Sequence, residues 1–219
     1  MLDIINTIRA GGIFMYGILI ASFVAVAVIL QRGYTLWISY RIDVEALRDQ
    51  VLSYINQGQF GQAAQVCTGS HPLQRMLLAA VQRANRSEKE IRRGLETSAV
   101  TELARYRRGT SSLPQLSNLA TLLGLLGTIH GLIISFSGMQ GVDAAARQAS
   151  LSKGVAVAFY NTFFGLTVAT VTVVAYLIVF TKQSREMTRM EAATATVIDN
   201  LLSLPEGRKT GRPAVAAVR

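Results

Sequence analysis

An all-α membrane protein, with three transmembrane helices and a long helical segment outside the bilayer, is the fold class this sequence predicts. Two features of composition and one of charge placement carry that expectation. Half of the residues are apolar and only 16% are charged, a low share for a soluble chain. Three stretches without Asp, Glu, Lys or Arg are each long enough for the roughly 20 helical residues a hydrocarbon core requires. The net charge of +9 is unevenly spread: twelve Lys/Arg stand against seven Asp/Glu in 31–112, and seven against four in 181–219. The other two polar ends hold Arg9, Arg147 and Lys153 between them. Basic residues collect in cytoplasmic loops, so 32–112 and the C-terminus are expected in the cytoplasm and the N-terminus and the 141–153 loop outside, in the periplasm.

Residues 1–11 read as an amphipathic lead-in with Leu2, Ile4, Ile5 and Ile8 on one side. The first membrane helix is expected over 12–31. Ala25-Val26-Ala27 mimics a signal-peptide cleavage site, but basic residues follow the span rather than precede it, which predicts a retained helix. Tyr34, Trp37 and Tyr40 with Arg32 and Arg41 fit an interfacial belt. Within 32–112, Asp43 is placed to cap a helix carrying Val44, Leu47, Val51 and Ile55, and Gly58 to end it. A short helix follows through Ala63 and Ala64, then an apolar one over Leu73 to Val81. Ser87 and Glu90, three apart, form a capping box for a helix through Ile91, Leu95, Ala99 and Leu103. The second membrane helix is expected over 113–140 with Pro114 near its start, a loop over 141–153, and the third membrane helix over 154–181. A helix over 182–203 continues it, with Met187, Met190, Val197 and Leu201 on its apolar side and Thr194 interrupting them. The tail, 204–219, is rich in Gly, Pro and Arg and is expected to fray.

The second and third spans carry the functional signal. Thr121, Gly124, Thr128, Gly131 and Ser135 are spaced 3, 4, 3, 4, and Ala158, Thr162, Gly165, Ala169 and Thr172 are spaced 4, 3, 4, 3. Such spacing puts each set on one helical stripe. Lipid offers nothing to a hydroxyl, so the stripes should face protein or water. Gly124, Gly127, Gly131 and Gly165 suit close helix packing.

Other function classes find little support. No basic stretch is interleaved with stacking aromatics, as a nucleic-acid surface would be. The sequence has no phosphate loop and no nucleophile elbow, so an enzyme is not expected. Two histidines, His71 and His130, are too few and too far apart for a metal site, and no cofactor is implied. His130 lies inside the second span but about 200° round the helix from Thr128, off the stripe; a neutral imidazole bonded between helices or near an aqueous edge is its bland reading and a functional role inside the membrane the sharp one. Cys67, the single cysteine, reads as an ordinary thiol.

The second span runs Leu119-Ala-Thr-Leu-Leu-Gly-Leu-Leu-Gly-Thr-Ile-His-Gly-Leu-Ile-Ile-Ser-Phe136. It closely resembles the second membrane helix of the MotA/TolQ/ExbB proton-channel family. The third, Gly154-Val-Ala-Val-Ala-Phe-Tyr-Asn-Thr-Phe-Phe-Gly-Leu-Thr-Val-Ala169, resembles that family's third helix. The order of elements is similar to the three-span ExbB/TolQ branch. The resemblance implies a homopentameric ring around two copies of a small single-span ExbD/TolR-like partner, whose intramembrane aspartate takes and releases the proton. It implies an ion-channel stator subunit in the bacterial inner membrane that energises an envelope machine: gliding motility, Tol-Pal or TonB-type transport. Thr128 and Thr162 match the family's pore-facing threonines. Thr121, Ser135 and Asn161 are added here as candidate pore-lining residues.

The sequence also departs from the family. Thr121 and Val171 stand where prolines are frequent, and Val157 where a glutamate is frequent, with Asn161 one turn on. Polar duty would then move to Asn161 and Thr121, and these groups are compatible with H⁺ or Na⁺. The departures suggest a specialised branch. Two rival readings stand beside the stator. The first is an oligomeric membrane scaffold, since a membrane Thr or Ser commonly bonds its own backbone. A solute transporter is the second, and it lacks an inverted repeat or a midplane charge.

Overall fold

A computed structural model of the chain describes residues 11–40, 42–138 and 143–204. All regular elements among them are helical: α1 Gly12–Tyr34, a π-helical turn Thr35–Ser39, α2 Val44–Asn56, α3 Phe60–Val66, α4 Pro72–Val81, α5 Glu88–Arg107, α6 Ser112–Ser137 and α7 Ala144–Ser203. Three helices are long and apolar enough to cross a membrane, by length and composition. The chain divides into an apolar unit, Met1–Tyr34 with Gly109–Phe180, and a polar unit, Thr35–Arg108 with Thr181–Arg219. The helix α7 supplies residues to both.

In the apolar unit α1 has 23 residues and α6 has 26, so each is about 34 Å or more at 1.5 Å per residue and exceeds a hydrocarbon core of about 30 Å. Apolar side chains cover both sides of α1. Met15, Ile18, Ala21 and Ala25 are buried against protein, while Ile13, Ile20 and Phe23 are exposed on the other faces. A helix apolar all round suits lipid rather than water. The helix that carries the span expected over 12–31 continues to Tyr34 and through the π-helical turn.

Most of the stretch expected as a loop, 141–153, is helical. α7 begins at Ala144, so the described residues Ala144 to Lys153 are helical. Asp143 explains the start: its carboxylate accepts from Ala146 N at 2.7 Å, and three alanines follow, the best helix formers. The second span ends at Ser137 with Gly138 as its cap, and begins at Ser112, which leaves Pro114 inside the first turn. Residues 1–10 of the lead-in 1–11, Arg41 of the interfacial belt, 139–142, and 205–219 of the tail 204–219 lie outside the described residues.

Local signals set the polar unit. Asp43 accepts from Glu45 N and Ala46 N, both at 3.0 Å, and α2 buries Val44, Leu47, Val51 and Ile55. Gly58 follows at φ +74°, a conformation other residues adopt only with strain. The Ser87–Glu90 capping box opens α5, Glu90 accepting from Ser87 N at 3.3 Å. A second box opens α4: His71 Nδ1 accepts from Leu73 N at 3.2 Å, Gln74 Oε1 accepts from His71 N at 3.4 Å, and Pro72 fills the first turn. Burial lowers the His71 pKa from 6.5 to about 4, which keeps the ring neutral and able to accept. Phe60, Leu73, Met76, Leu77 and Ile91 form the core with Met190, Val197 and Leu201 of α7. Thr194 is buried among these α7 residues and satisfies its hydroxyl on Met190 O at 2.6 Å. Glu102, also buried, is held by Arg75 at 3.2 Å and Arg105 at 3.3 Å.

Candidate functional site

The two striped helices, α6 and the first half of α7, meet along their small residues. Ser117, Ala120, Gly124, Gly127, Gly131 and Ser135 are the buried row of α6 below its first turn. Facing them, Gly154, Ala158, Asn161, Gly165 and Ala169 are buried on α7. Backbones approach so closely that a Cβ at Gly131 would lie 2.8 Å from Ala158 N and 2.9 Å from Gly154 O. At Gly165 it would lie 2.8 Å from Ala120 O, and at Gly124 3.1 Å from Asn161 O. Gly127 is approached by a side chain instead, Asn161 Cβ and Cγ lying 2.5 Å from where its Cβ would stand.

The hydroxyls bond across this contact. Thr128 Oγ1 and Thr162 Oγ1 are hydrogen-bonded to each other, and Thr128 also reaches Gly124 O at 3.1 Å and Ala158 O at 3.3 Å. Both threonines are half-buried and sit at the edge of the helix pair. Thr121, likewise half-buried, donates to Ser117 O of its own helix at 3.2 Å. These three keep part of their surface open in the single chain.

Ser135 and Asn161, the other two candidate pore-lining residues, are each 0% exposed within one chain. Ser135 Oγ donates to Leu151 O at 3.0 Å, tying the last turns of α6 to the first turns of α7. Asn161 Nδ2 donates to Gly11 O at 2.8 Å and Val157 O at 3.0 Å, so its amide fastens the start of α1 to α7. Its Oδ1 is buried without a hydrogen-bond partner among the described residues. Val157, where the family commonly has a glutamate, is 9% exposed and apolar.

One hydroxyl escaped the sequence reading. Ser117 Oγ donates to Ala169 O at 3.1 Å and bridges the same two helices. Its signal was available: 117, 120, 124, 127, 131 and 135 follow helical spacing, one position round from the threonine stripe. The stripe as read combines the buried row with its half-open edge. His130 meets Phe14 of α1 edge-on, ring centres 5.3 Å apart, and its Nδ1 is buried without a hydrogen-bond partner among the described residues. The ring contact ties His130 to α1, away from the Thr128–Thr162 pair. No group of three or more His, Cys, Asp or Glu able to hold a metal occurs among the described residues.

Chemically, the facing stretches 117–135 of α6 and 154–172 of α7 offer hydroxyls, amides and carbonyls, and hold no Asp, Glu, Lys or Arg. Such a surface can bond a carboxylate, a water or a cation held by something else. Comparison with known proteins agrees with this arrangement. The family model described as the MotA/TolQ/ExbB proton channel family matches residues 69–192, more than half of the chain and the whole of the hydroxyl contact. The chain is 33% identical over 165 residues to ExbB-like biopolymer transport protein 3 of Synechocystis sp., covering 74% of this chain and 78% of that protein. It is 29% identical over 184 residues to ExbB-like protein 1 of the same organism, covering 81% and 70%. With the biopolymer transport protein ExbB1 of Vibrio cholerae it shares 24% over 183 residues, covering 82% and 80%. Three membrane-length helices, a close-packed hydroxyl contact between the last two and a family match running through both make this chain a multi-pass membrane protein that belongs to the MotA/TolQ/ExbB proton channel family.

Proposed function

We propose that the chain is an ion-conducting stator subunit that turns an ion motive force, carried by protons, into mechanical work on an envelope machine. Five copies form a ring in the bacterial inner membrane, with the N-terminus periplasmic and the C-terminus cytoplasmic. The ring encloses two copies of a small single-span ExbD/TolR-like protein. The observation that carries this reading is the Thr128–Thr162 hydroxyl pair, joined across α6 and α7 in spans without Asp, Glu, Lys or Arg. Neither hydroxyl titrates near neutral pH. The charge that moves must come from the partner's aspartate, and these threonines with Thr121 line its path. Moving one charge through 100 mV supplies about 2.3 kcal/mol, enough to bias a conformational step strongly. Ser135, Asn161 and the glycines Gly124, Gly127, Gly131 and Gly165 hold the helices that carry the path. Gliding motility, Tol-Pal and TonB-type transport are the classes of machine such a subunit serves.

Weighing the intact complex, purified through a tag on this chain from its native membrane in mild detergent, tests the assembly. The expected mass is five copies plus a small single-span protein with an intramembrane aspartate. Thr128→Val with Thr162→Val then tests the path, since valine keeps the shape and deletes the hydroxyl. Ion-driven output should fall while the mass of the complex stays the same. Unchanged output would make these two threonines packing residues. The scaffold reading is the second, favoured by the fact that Thr128 already meets carbonyls of its own chain; it predicts a stable oligomer with no acidic single-span partner in any detergent.

A further inference from the structure

The polar unit carries two unlike surfaces on nearly opposite sides of α5, about 150° apart at 100° per residue. On one side an open groove of about 990 Å³ runs along Gly94, Thr97 and Thr101, with Arg83, Arg86 and Arg93 beside it. None of these three arginines forms an ion pair among the described residues. Arg83 is held in place, its guanidinium donating to Ala79 O at 2.9 Å and its stem lying on Gly94, where a Cβ would meet Arg83 Cδ at 2.5 Å. The groove's two acids are already engaged. Glu90 closes the capping box, and Glu102 is held by Arg75 and Arg105. The groove is therefore net positive, and guanidinium groups match carboxylates in geometry.

On the other side a cleft of about 240 Å³ is walled by Met76, Leu95, Ala99 and Ile198 and rimmed by Glu191 and Asp199 of α7. Both acids are exposed, and neither forms an ion pair among the described residues. Arg92, also at the rim, is neutralised by Glu88 at 2.8 Å. This surface is net negative around an apolar floor, and an arginine can lay its methylenes on such a floor while its head meets a carboxylate.

We infer that these surfaces are the two halves of one head-to-tail contact: the Arg83/Arg86/Arg93 groove of one copy takes the Glu191/Asp199 edge of the next. A closed ring needs such a heterologous interface, with two different complementary patches on each subunit. The inference rests on the ring reading above and names the residues that join its copies outside the membrane spans. The chain's own tail is the wrong occupant for the groove. It carries Arg208, Lys209, Arg212 and Arg219 against Glu206, the same sign as the groove.

The test uses the full chain in mild detergent. Arg93→Cys and Asp199→Cys are introduced into the same chain and treated with a short bismaleimide. The native Cys67 does not compete, being buried with its thiol pushed up to about 11. The expected product is a ladder of linked copies ending at the ring, with no ladder from either substitution alone. Reversing the groove with Arg86→Glu and Arg93→Glu should weaken the association about tenfold or more, and adding Glu191→Arg and Asp199→Arg should restore it. An oligomer of unchanged mass that yields no ladder would overturn the inference while leaving the ring reading intact, and would point to another acidic protein as the groove's occupant. Failure of the four-fold reversal to restore association would overturn it as well. A native chain that is only monomeric would overturn both.

Discussion

Replacing Gly131 by alanine adds a single methyl at a close backbone approach between α6 and α7. That methyl would stand 2.8 Å from Ala158 N, 2.9 Å from Gly154 O and 3.0 Å from Ala158 Cα. All three are backbone atoms, so no side chain can turn aside to make room. Ordinary contact lies at about 3.5–4.0 Å, and α6 and α7 must therefore part by roughly 0.5–1 Å. A gap of that size forfeits about a quarter to a half of each dispersion contact along the row, and overfilling a packed site costs typically about 1–3 kcal/mol. The separation also lengthens the Thr128 bond to Ala158 O, now 3.3 Å. Gly61→Ala is the control, because nothing lies within 4 Å of its position in α3 and helix propensity favours alanine there by about 0.5–1 kcal/mol. Unfolding of the purified chain in mixed detergent micelles, followed by circular dichroism, reads both. Gly131→Ala should be destabilised and Gly61→Ala equal to or above the parent. Equal stability of Gly131→Ala and the parent would refute the close approach of the two helices.

Three further outcomes follow from the same structure. The folded chain keeps His71 neutral down to about pH 4, while the unfolded chain takes up a proton near 6.5. Between those values the unfolded state binds more protons, so stability should fall as pH drops, by at most about 1.4 kcal/mol per unit; His71→Asn, which retains a capping side chain without titrating, should flatten that limb of a stability-versus-pH curve. Arg75→Ala removes one of two partners from the buried Glu102 carboxylate and should cost about 1 kcal/mol in thermal unfolding, whereas Glu102→Gln with Arg75→Ala should cost less than the sum of the singles. Asn161→Leu deletes the amide bonds to Gly11 O and Val157 O; hydrogen exchange at the first turn of α1 should rise, and unchanged protection there would remove Asn161 as the fastening of that helix.

Much of the architecture was legible because its signals are local. Asp43, Gly58 and the Ser87–Glu90 pair mark helix ends by their own chemistry, and three uncharged stretches mark the spans. The start of α7 was misread because Arg147, Ser150 and Lys153 gave 141–153 the polarity of a loop. The signal for a helix was nonetheless present, in Asp143 followed by three alanines. The His71–Pro72–Gln74 cap was missed for a different reason: histidine accepts through Nδ1 only when its ring is neutral, which depends on burial that no local pattern states. The faces of α6 and α7 were legible only to within one position. A helix apolar on every side has no polar face to set its rotation, so the hydroxyls drew the stripe toward Thr121 and Thr128. The contact itself centres on residues chosen for size: Ala120, Gly124, Gly127 and Gly131.

That offset separates two kinds of polar group in the spans. Ser117 and Ser135 are bonded across the helix pair to backbone carbonyls of α7, and Asn161, buried on α7, bonds Gly11 O at the start of α1; exchanging those bonds would loosen the helices they tie. Thr128 and Thr162 lie at its edge and share alternatives: each hydroxyl is one donor with two lone pairs, and Thr128 has Thr162, Gly124 O and Ala158 O within reach. Thr128 has one proton to give, and Gly124 O, Ala158 O or an incoming carboxylate can take it while the hydroxyl still accepts from Thr162; both carbonyls also accept from the N–H four residues on in their own helices, so the exchange leaves no buried group unpaired and avoids the penalty that an orphaned polar atom carries. The edge threonines are for this reason the residues at which a passing ion's partner can be bonded and released without loosening α6 from α7. On the proposed reading, loss of both hydroxyls should change transport and leave stability nearly untouched, whereas loss of Ser135 should change stability first.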